Sequence, residues 1–444
     1  MASAAEQLAR NMNFGSFAKA KELQQRILFT IGILILYRVG TYVPIPGIDF
    51  DSYRAMFEQQ SNGVLGMFNM LGGGAVERSA IFVLNVMPYI SASIIMQLMS
   101  STIPSFEKMK KEGGEAGRKQ INQYTRYLTV VLAAAQATGL AFGMSSPNAD
   151  GATLALDPGL FFIVSTVTTL VGATMLLLWL GEQITARGIG NGISLIIFAG
   201  IITAVPSLIG NAFAASSTGA LSGTVFLLGV VAVIGALLFV VFMERSQRRL
   251  LVQYPKRQQG NRMVGGDTSF LPLKLNTAGV IPPIFASSLL LMPQTAANFN
   301  TAAVGGLWGT VLAYLQPGSP TFLTIYSVLI IFFCFFYTSV VFNPEDTADN
   351  LRKYGGFLPG IRPGKRTAEH LDFVLSRLTL IGAAYLTILC VTPMAIAPST
   401  ALGGTSILII VSVTMDTISQ IQSHLLAHQY EGLIKKSKLR GRKR

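Results

Sequence analysis

Hydrophobic positions in this chain gather into long runs separated by polar or basic stretches. Ten runs have the length of a bilayer-crossing helix: about 24–43, 76–99, 127–144, 158–181, 190–210, 221–242, 276–292, 322–342, 373–392 and 405–425. A helical span needs about 20 mostly apolar residues, so the pattern predicts ten transmembrane helices. One stretch breaks it. Val64, Leu65, Gly66, Met67, Phe68, Asn69, Met70 and Leu71 form a short apolar segment that stops at Gly72, Gly73 and Gly74 and resumes at Val76 as the second span. Half-length segments are tolerated at membrane depth only where protein or a water-filled cavity surrounds them. The chain is therefore expected to build a cavity and to place this segment in it.

Composition agrees. With 444 residues, 51% of them hydrophobic, 12% charged and a mean hydropathy of +0.51, the chain reads as one integral membrane domain and not as a soluble protein. Of its 34 Lys and Arg, all but Arg38, Arg54 and Arg78 fall in the terminal segments and alternate loops of one side. Basic loops stay on the cytoplasmic side, so both termini are expected in the cytoplasm. The polar first 20 residues carry no small-residue cleavage pattern, and the first span is expected to be retained. Cys334 and Cys390 each lie inside an apolar run and read as small buried hydrophobes, not as a disulfide or metal ligands.

Two basic-side loops, 244–274 and 343–372, exceed the usual loop length. They carry Lys256 and Arg257 in one and Arg362, Lys365 and Arg366 in the other. Their charge serves either topology alone or the docking of a polyanionic or acidic partner. The basic tail 435–444 could equally sit against anionic lipid. A faint repeat, P-x-I-x-A-S, occurs at Pro88 to Ser93 and again at Pro282 to Ser287, five spans apart and in opposite orientation. Inverted repeats place a central pathway between two halves, here 1–210 and 211–444.

Other motifs lead nowhere. Gly188-Ile189-Gly190-Asn191-Gly192 has no preceding strand and suits a flexible, close-packed helix start better than a dinucleotide loop. Gly360 to Arg366 is one residue short of a phosphate loop, and Arg366 replaces the hydroxyl that would bind magnesium. His424, His428 and Glu431 share a helical face at the basic end of the last span and read as a polar terminus, with metal binding a remote alternative. No nucleophile, acid and base share a short motif. Span interiors are almost free of charge, Asp416 being the main exception, whereas ion-coupled transporters keep ionisable groups there. An apolar constriction seals against ions by dewetting and holds no fixed charge to trap a passing chain. A conduit for a chemically varied solute is favoured over a small-solute transporter and a membrane-embedded enzyme.

Several stretches together resemble the SecY family of protein-conducting translocase subunits. They are Tyr42-Val43-Pro44-Ile45-Pro46-Gly47-Ile48, Met87 to Ile95, Trp179 to Thr185, Gly188 to Ser194, Lys256-Arg257-Gln258-Gln259-Gly260, Asn343-Pro344 with Thr347 to Leu351, and Pro359 to Gly364. The resemblance implies an all-α fold of ten transmembrane helices in two inverted halves around an hourglass pore, with a short plug helix. It implies a pore ring of Val86, Ile90, Ile193, Ile197, Ile281 and Ile409, with Val86 departing from the more usual isoleucine. The segment from Val64 to Leu71 would be the plug, Gly72 to Gly74 its hinge, and Gln97 and Asn276 a hydrogen-bonded latch on a lateral gate that releases membrane segments into lipid. Lys256, Arg257, Arg362, Lys365 and Arg366 would dock the SecA ATPase and the ribosome. SecE, SecG, a signal-bearing polypeptide and membrane lipids are the further expected partners. The implied site is the bacterial inner membrane, with no cofactor, metal or enzymatic activity.

Overall fold

In the computed structural model, the described residues are 21–60, 66, 69–70, 72–146, 153–218, 222–254, 257–259, 262–264, 268–298, 314, 316, 319–396 and 403–441. Helices α1 (Lys21–Gly40) and α2 (Phe50–Gln60) come first, followed by α3 (Met87–Thr102), α4 (Pro104–Glu112), α5 (Gly114–Ser145), α6 (Leu160–Arg187), α7 (Gly192–Ser217) and α8 (Gly223–Arg245). Four strands follow, β1 (Gln247–Gln253), β2 (Arg257–Gln259), β3 (Arg262–Val264) and β4 (Thr268–Lys274). The chain then forms α9 (Ile281–Asn298), α10 (Pro320–Val341), α11 (Pro344–Lys353), α12 (Lys365–Ile396) and α13 (Gly404–Gly441).

Among the described residues, seven helical stretches are long and apolar enough to cross a membrane: α5, α6, α7, α8, α10 with its continuation into α11, α12 and the first part of α13. The other three predicted spans correspond to α1, α3 and α9. The first of these carries Lys21, Glu22, Arg26 and Arg38, and the other two are only 16 and 18 residues long.

The second span is shorter than its hydropathy suggests. Sequence places its start at Val76, but the chain runs in turns from Gly72 to Val86 and turns helical only at Met87, with Pro88 in the first turn. Positive φ angles at Ser79 (46°) and Asn85 (48°) interrupt any helix there. Ala75, Val76, Ala80, Phe82, Val83 and Val86 are apolar because they are buried, not because they are helical. Phe82 stacks on Tyr37 of α1 at 5.9 Å between ring centroids. A Cβ at Gly40 would fall 2.0 Å from the Phe82 ring, so only glycine lets α1 pass.

The long loop 244–274 also departs from an all-helical reading. Strands β1 and β4 pair antiparallel from Gln247 with Lys274 to Gln253 with Thr268, and β2 pairs with β3. Leu250 and Leu273 of this hairpin pack with Leu358 and with Leu371, Val374, Leu375 and Leu378 of α12. The hairpin is thereby seated on the basic-side end of a span.

One large core joins α1, α3, α6, α7, α9, α10, α12 and α13. A smaller one gathers Ile45, Ile48, Tyr53 and Phe57 against Val83, Leu140, Met144 and Phe162 on the side away from the basic loops. In α8 only Val240 is buried, while Leu227, Leu228, Val231, Leu238 and Phe242 are exposed. Such a face is stable only against hydrocarbon or another apolar helix. Cys334 and Cys390 are both buried, as their apolar runs suggest.

Candidate functional site, a central apolar constriction

The constriction is assembled from helix starts. At α3, Val86 is the N-cap and Ile90 follows one turn later, so both project on the same face. At α7, the Asn191 side chain accepts from the backbone N–H groups of Ile193 and Ser194, which fixes the first turn and sets Ile193 and Ile197 one turn apart. The preceding glycines give α7 its close fit. A Cβ on Gly192 would lie 1.9 Å from the Gly181 carbonyl oxygen of α6. The N–H of Ile189 donates to Thr30 Oγ1 of α1 at 3.1 Å, and that of Gly190 donates to Gln420 Oε1 of α13 at 2.8 Å. The glycine-rich stretch is thus a four-helix junction, in keeping with close packing at a helix start.

A cavity of about 50 Å³ lies where these helices meet. Val86, Ile90, Ile197 and Ile409 line it, together with Ile284 of α9 and Met394 of α12. The polar lining consists of uncharged groups, among them Asn85, Ser287 and Thr405. Ile193 and Ile281 do not line this cavity; both are partly buried and pack against the surrounding core. In the repeated motif, Ile90 and Ile284 hold equivalent positions, and both reach the cavity. Apart from the polar groups the lining is aliphatic or thioether, so the cavity offers few partners to water or ions. The cavity is too small to hold a peptide chain.

Met70 forms part of the cavity wall and accepts a weak hydrogen bond at its sulfur from Ser406 Oγ of α13 at 3.8 Å. Of the predicted plug, Gly66, Asn69 and Met70 are described, and Val64, Leu65, Met67, Phe68 and Leu71 lie outside the described residues. The turn that follows closes on itself: the N–H of Gly74 donates to the Asn69 carbonyl at 2.8 Å, and that of Glu77 donates to Asn69 Oδ1 at 2.9 Å. Gly73 and Gly74 have φ of 65° and 84°, a region costly for other residues.

The seam between α3 and α9 is bridged by a hydrogen bond between the hydroxyls of Ser91 and Ser288, 3.2 Å apart. Sequence reasoning missed this pair, although Ser91 lies inside one copy of the repeat and Ser288 directly follows the other. The predicted latch residues bond elsewhere. Gln97 donates to Ser93 Oγ one turn back at 3.1 Å, and its buried Oε1 has no hydrogen-bond partner. Asn276 donates to Glu244 Oε1 at 2.8 Å and closes the turn to Gly279 that precedes α9. Asn276 is thus committed to Glu244 and Gly279, Gln97 bonds within its own helix, and no described hydrogen bond joins the two.

On the basic side, Arg362, Lys365 and Arg366 are exposed around a turn shaped by Gly360 (φ 81°) and Gly364 (φ 110°). Thr367 Oγ1 donates to the Arg362 carbonyl at 3.0 Å and fixes this turn to the start of α12. Arg257 begins β2, and Lys256 lies outside the described residues. The two loops meet: Gln253 and Phe357 exchange backbone hydrogen bonds of 2.9 and 3.0 Å.

Comparison with known proteins shows the lineage. A SecY family model matches residues 80–418. Protein translocase subunit SecY of Rickettsia bellii is 51% identical over 434 residues, covering 97% of this chain and 100% of the relative. The subunit of that name from Escherichia coli K12 is 50% identical over 426 residues, 95% of this chain and 96% of the relative. Among solved structures, a protein-conducting channel superposes with a TM-score of 0.63 at 20% identity, covering 90% of this chain and 92% of that one. A SecY protein whose plug domain stabilises the closed state of its channel matches with a TM-score of 0.62 at 19% identity, and the channel of a canine ribosome complex with 0.61 at 19%, each with those same coverages. This chain belongs to the SecY family.

Proposed function

We propose that this chain is the pore-forming subunit of a protein translocase, carrying unfolded, signal-bearing polypeptides across the bacterial inner membrane. The observation that carries the reading is the small, charge-free cavity walled by Val86, Ile90, Ile197 and Ile409 where spans from both ends of the chain meet. Such a constriction blocks ions without gripping any particular side chain. The chain is a channel subunit and not an enzyme, so the driving energy comes from a partner or from the membrane potential.

Residues 1–210 and 211–444 would form two halves that part to open the pore. The ring would comprise Val86, Ile90, Ile193, Ile197, Ile281 and Ile409, with Ile193 and Ile281 joining as the helices rotate. The segment 64–71 would be the plug, a reading supported by the place of Met70 in the cavity wall. The seam between α3 and α9 would be the lateral gate, with Gln97 and Asn276 as polar gate residues and Ser91–Ser288 as the bond that closes it.

Both termini and the basic loops would face the cytoplasm, where the Arg362 turn and the hairpin dock SecA or the ribosome. The canine relative is found in a ribosome complex, which supports a ribosomal partner. SecE and SecG would cover apolar faces such as that of α8. The test is reconstitution with SecE, SecG and SecA in liposomes, where a signal-bearing precursor should become protease-protected only with ATP. Absence of protection with active SecA would overturn the proposal.

A further inference from the structure

Three consecutive glycines make Gly72 to Gly74 an intrinsically loose connection, since glycine loses more conformational freedom on ordering than any other residue. In the structure this connection is held from outside. The Tyr37 hydroxyl of α1 donates to the Gly72 carbonyl at 3.3 Å, and the next residue, Arg38, donates through its guanidinium to the Gly73 carbonyl. The Arg38 head is itself fixed by hydrogen bonds to Thr41 Oγ1 and to the Tyr42 hydroxyl. Arg78 packs on the Tyr42 ring at 4.3 Å and also reaches the Gly73 carbonyl at 3.5 Å. The turn also lies close against α7, where a Cβ at Gly73 would come within 3.1 Å of Gly200 Cα.

We infer that Tyr37 and Arg38 form a latch that holds the glycine hinge in its closed geometry, so that the plug swings only when this latch releases. The inference rests on the plug reading above. A half-buried backbone carbonyl bonded by a guanidinium is held more firmly than by a neutral donor. Two adjacent carbonyls gripped by two adjacent residues of one span let α1 report its own displacement directly to the hinge. Arg38 is a positioning residue: it lines no part of the cavity and acts on the conducting path only through the turn.

The experiment measures resting ion conductance of the complete complex in planar bilayers for Arg38→Gln, Arg38→Lys and Tyr37→Phe, each alone and combined with deletion of residues 64–71. Arg38→Gln is expected to raise resting conductance roughly tenfold, the scale of one lost charge-assisted hydrogen bond. Tyr37→Phe keeps the ring stacked on Phe82 and loses only the hydroxyl, so a smaller rise of about threefold is expected. Arg38→Lys should recover part of the seal. None of the three should raise conductance further once residues 64–71 are absent, because a latch acts only through what it holds. A leaky deletion channel beside a tight Arg38→Gln channel overturns the latch alone. Additive effects of Arg38→Gln and the deletion also overturn it, since a merely loosened fold would add. An unchanged deletion channel overturns the plug reading and the latch with it.

Discussion

In the constriction, Val86 and Ile90, Ile197 and Ile409 arrive from three helices spread over more than 300 residues of chain, and no charged side chain lines the cavity among the described residues. On the basic face, Arg362, Lys365 and Arg366 lie within five residues of one another, and all are exposed. The first region depends on packing between distant elements. The second depends on local charge held out by a glycine-shaped turn. A channel needs both kinds of surface: one that grips nothing and one that grips a partner.

The two regions should therefore fail differently. Arg362→Glu should bring the largest loss, with ATP-dependent protection of a precursor falling by about tenfold or more, as charge reversal at a docking surface predicts. Resting conductance and membrane insertion should stay at the parent level; a leak in this variant would break the comparison. Deleting residues 64–71 should have the opposite signature, a clear rise in resting conductance with SecA binding unaffected. Ile409→Asn places a polar group in the cavity wall and should raise conductance several-fold by wetting the constriction. Smallest of all, Ser91→Ala or Ser288→Ala should cost about 0.6 kcal/mol of closed-gate stability, the typical value for a hydrogen bond between membrane helices. That loss should appear as more efficient translocation of precursors with weakened signal sequences. If the double variant differs from either single one, the two hydroxyls do not act as a pair.

What could be read from sequence follows the same division. Span positions and the side carrying the basic loops are local properties, and Arg362, Lys365 and Arg366 were legible as a basic loop cluster, which the structure exposes. Val76 to Val86 misled because a hydropathy window cannot tell a buried apolar turn from a membrane helix; the segment takes positive φ at Ser79 and Asn85 and lays Phe82 on Tyr37 of α1. The hairpin was hidden since Gln247 to Gln253 alternates poorly, with Arg248 and Arg249 followed by Leu250 and Leu251. Pairing of β1 with β4 joins residues 15 to 27 positions apart, a non-local contact that such a pattern does not announce. Likewise, the bond from Asn276 to Glu244, 32 residues earlier, is a non-local contact that the sequence does not announce.

The exchange of hydrogen bonds between Gln253 and Phe357 has a mechanical meaning. It welds two loops more than 100 residues apart into one arm, and Gly356 permits this because a Cβ there would crowd the Tyr254 ring at 3.0 Å. The arm stands on α12 through Leu250, Leu273 and Leu358. Under the proposed docking, a partner that pushes on either loop would apply torque to both, and the lever's short end is a membrane helix whose far turn places Met394 in the wall of the central cavity.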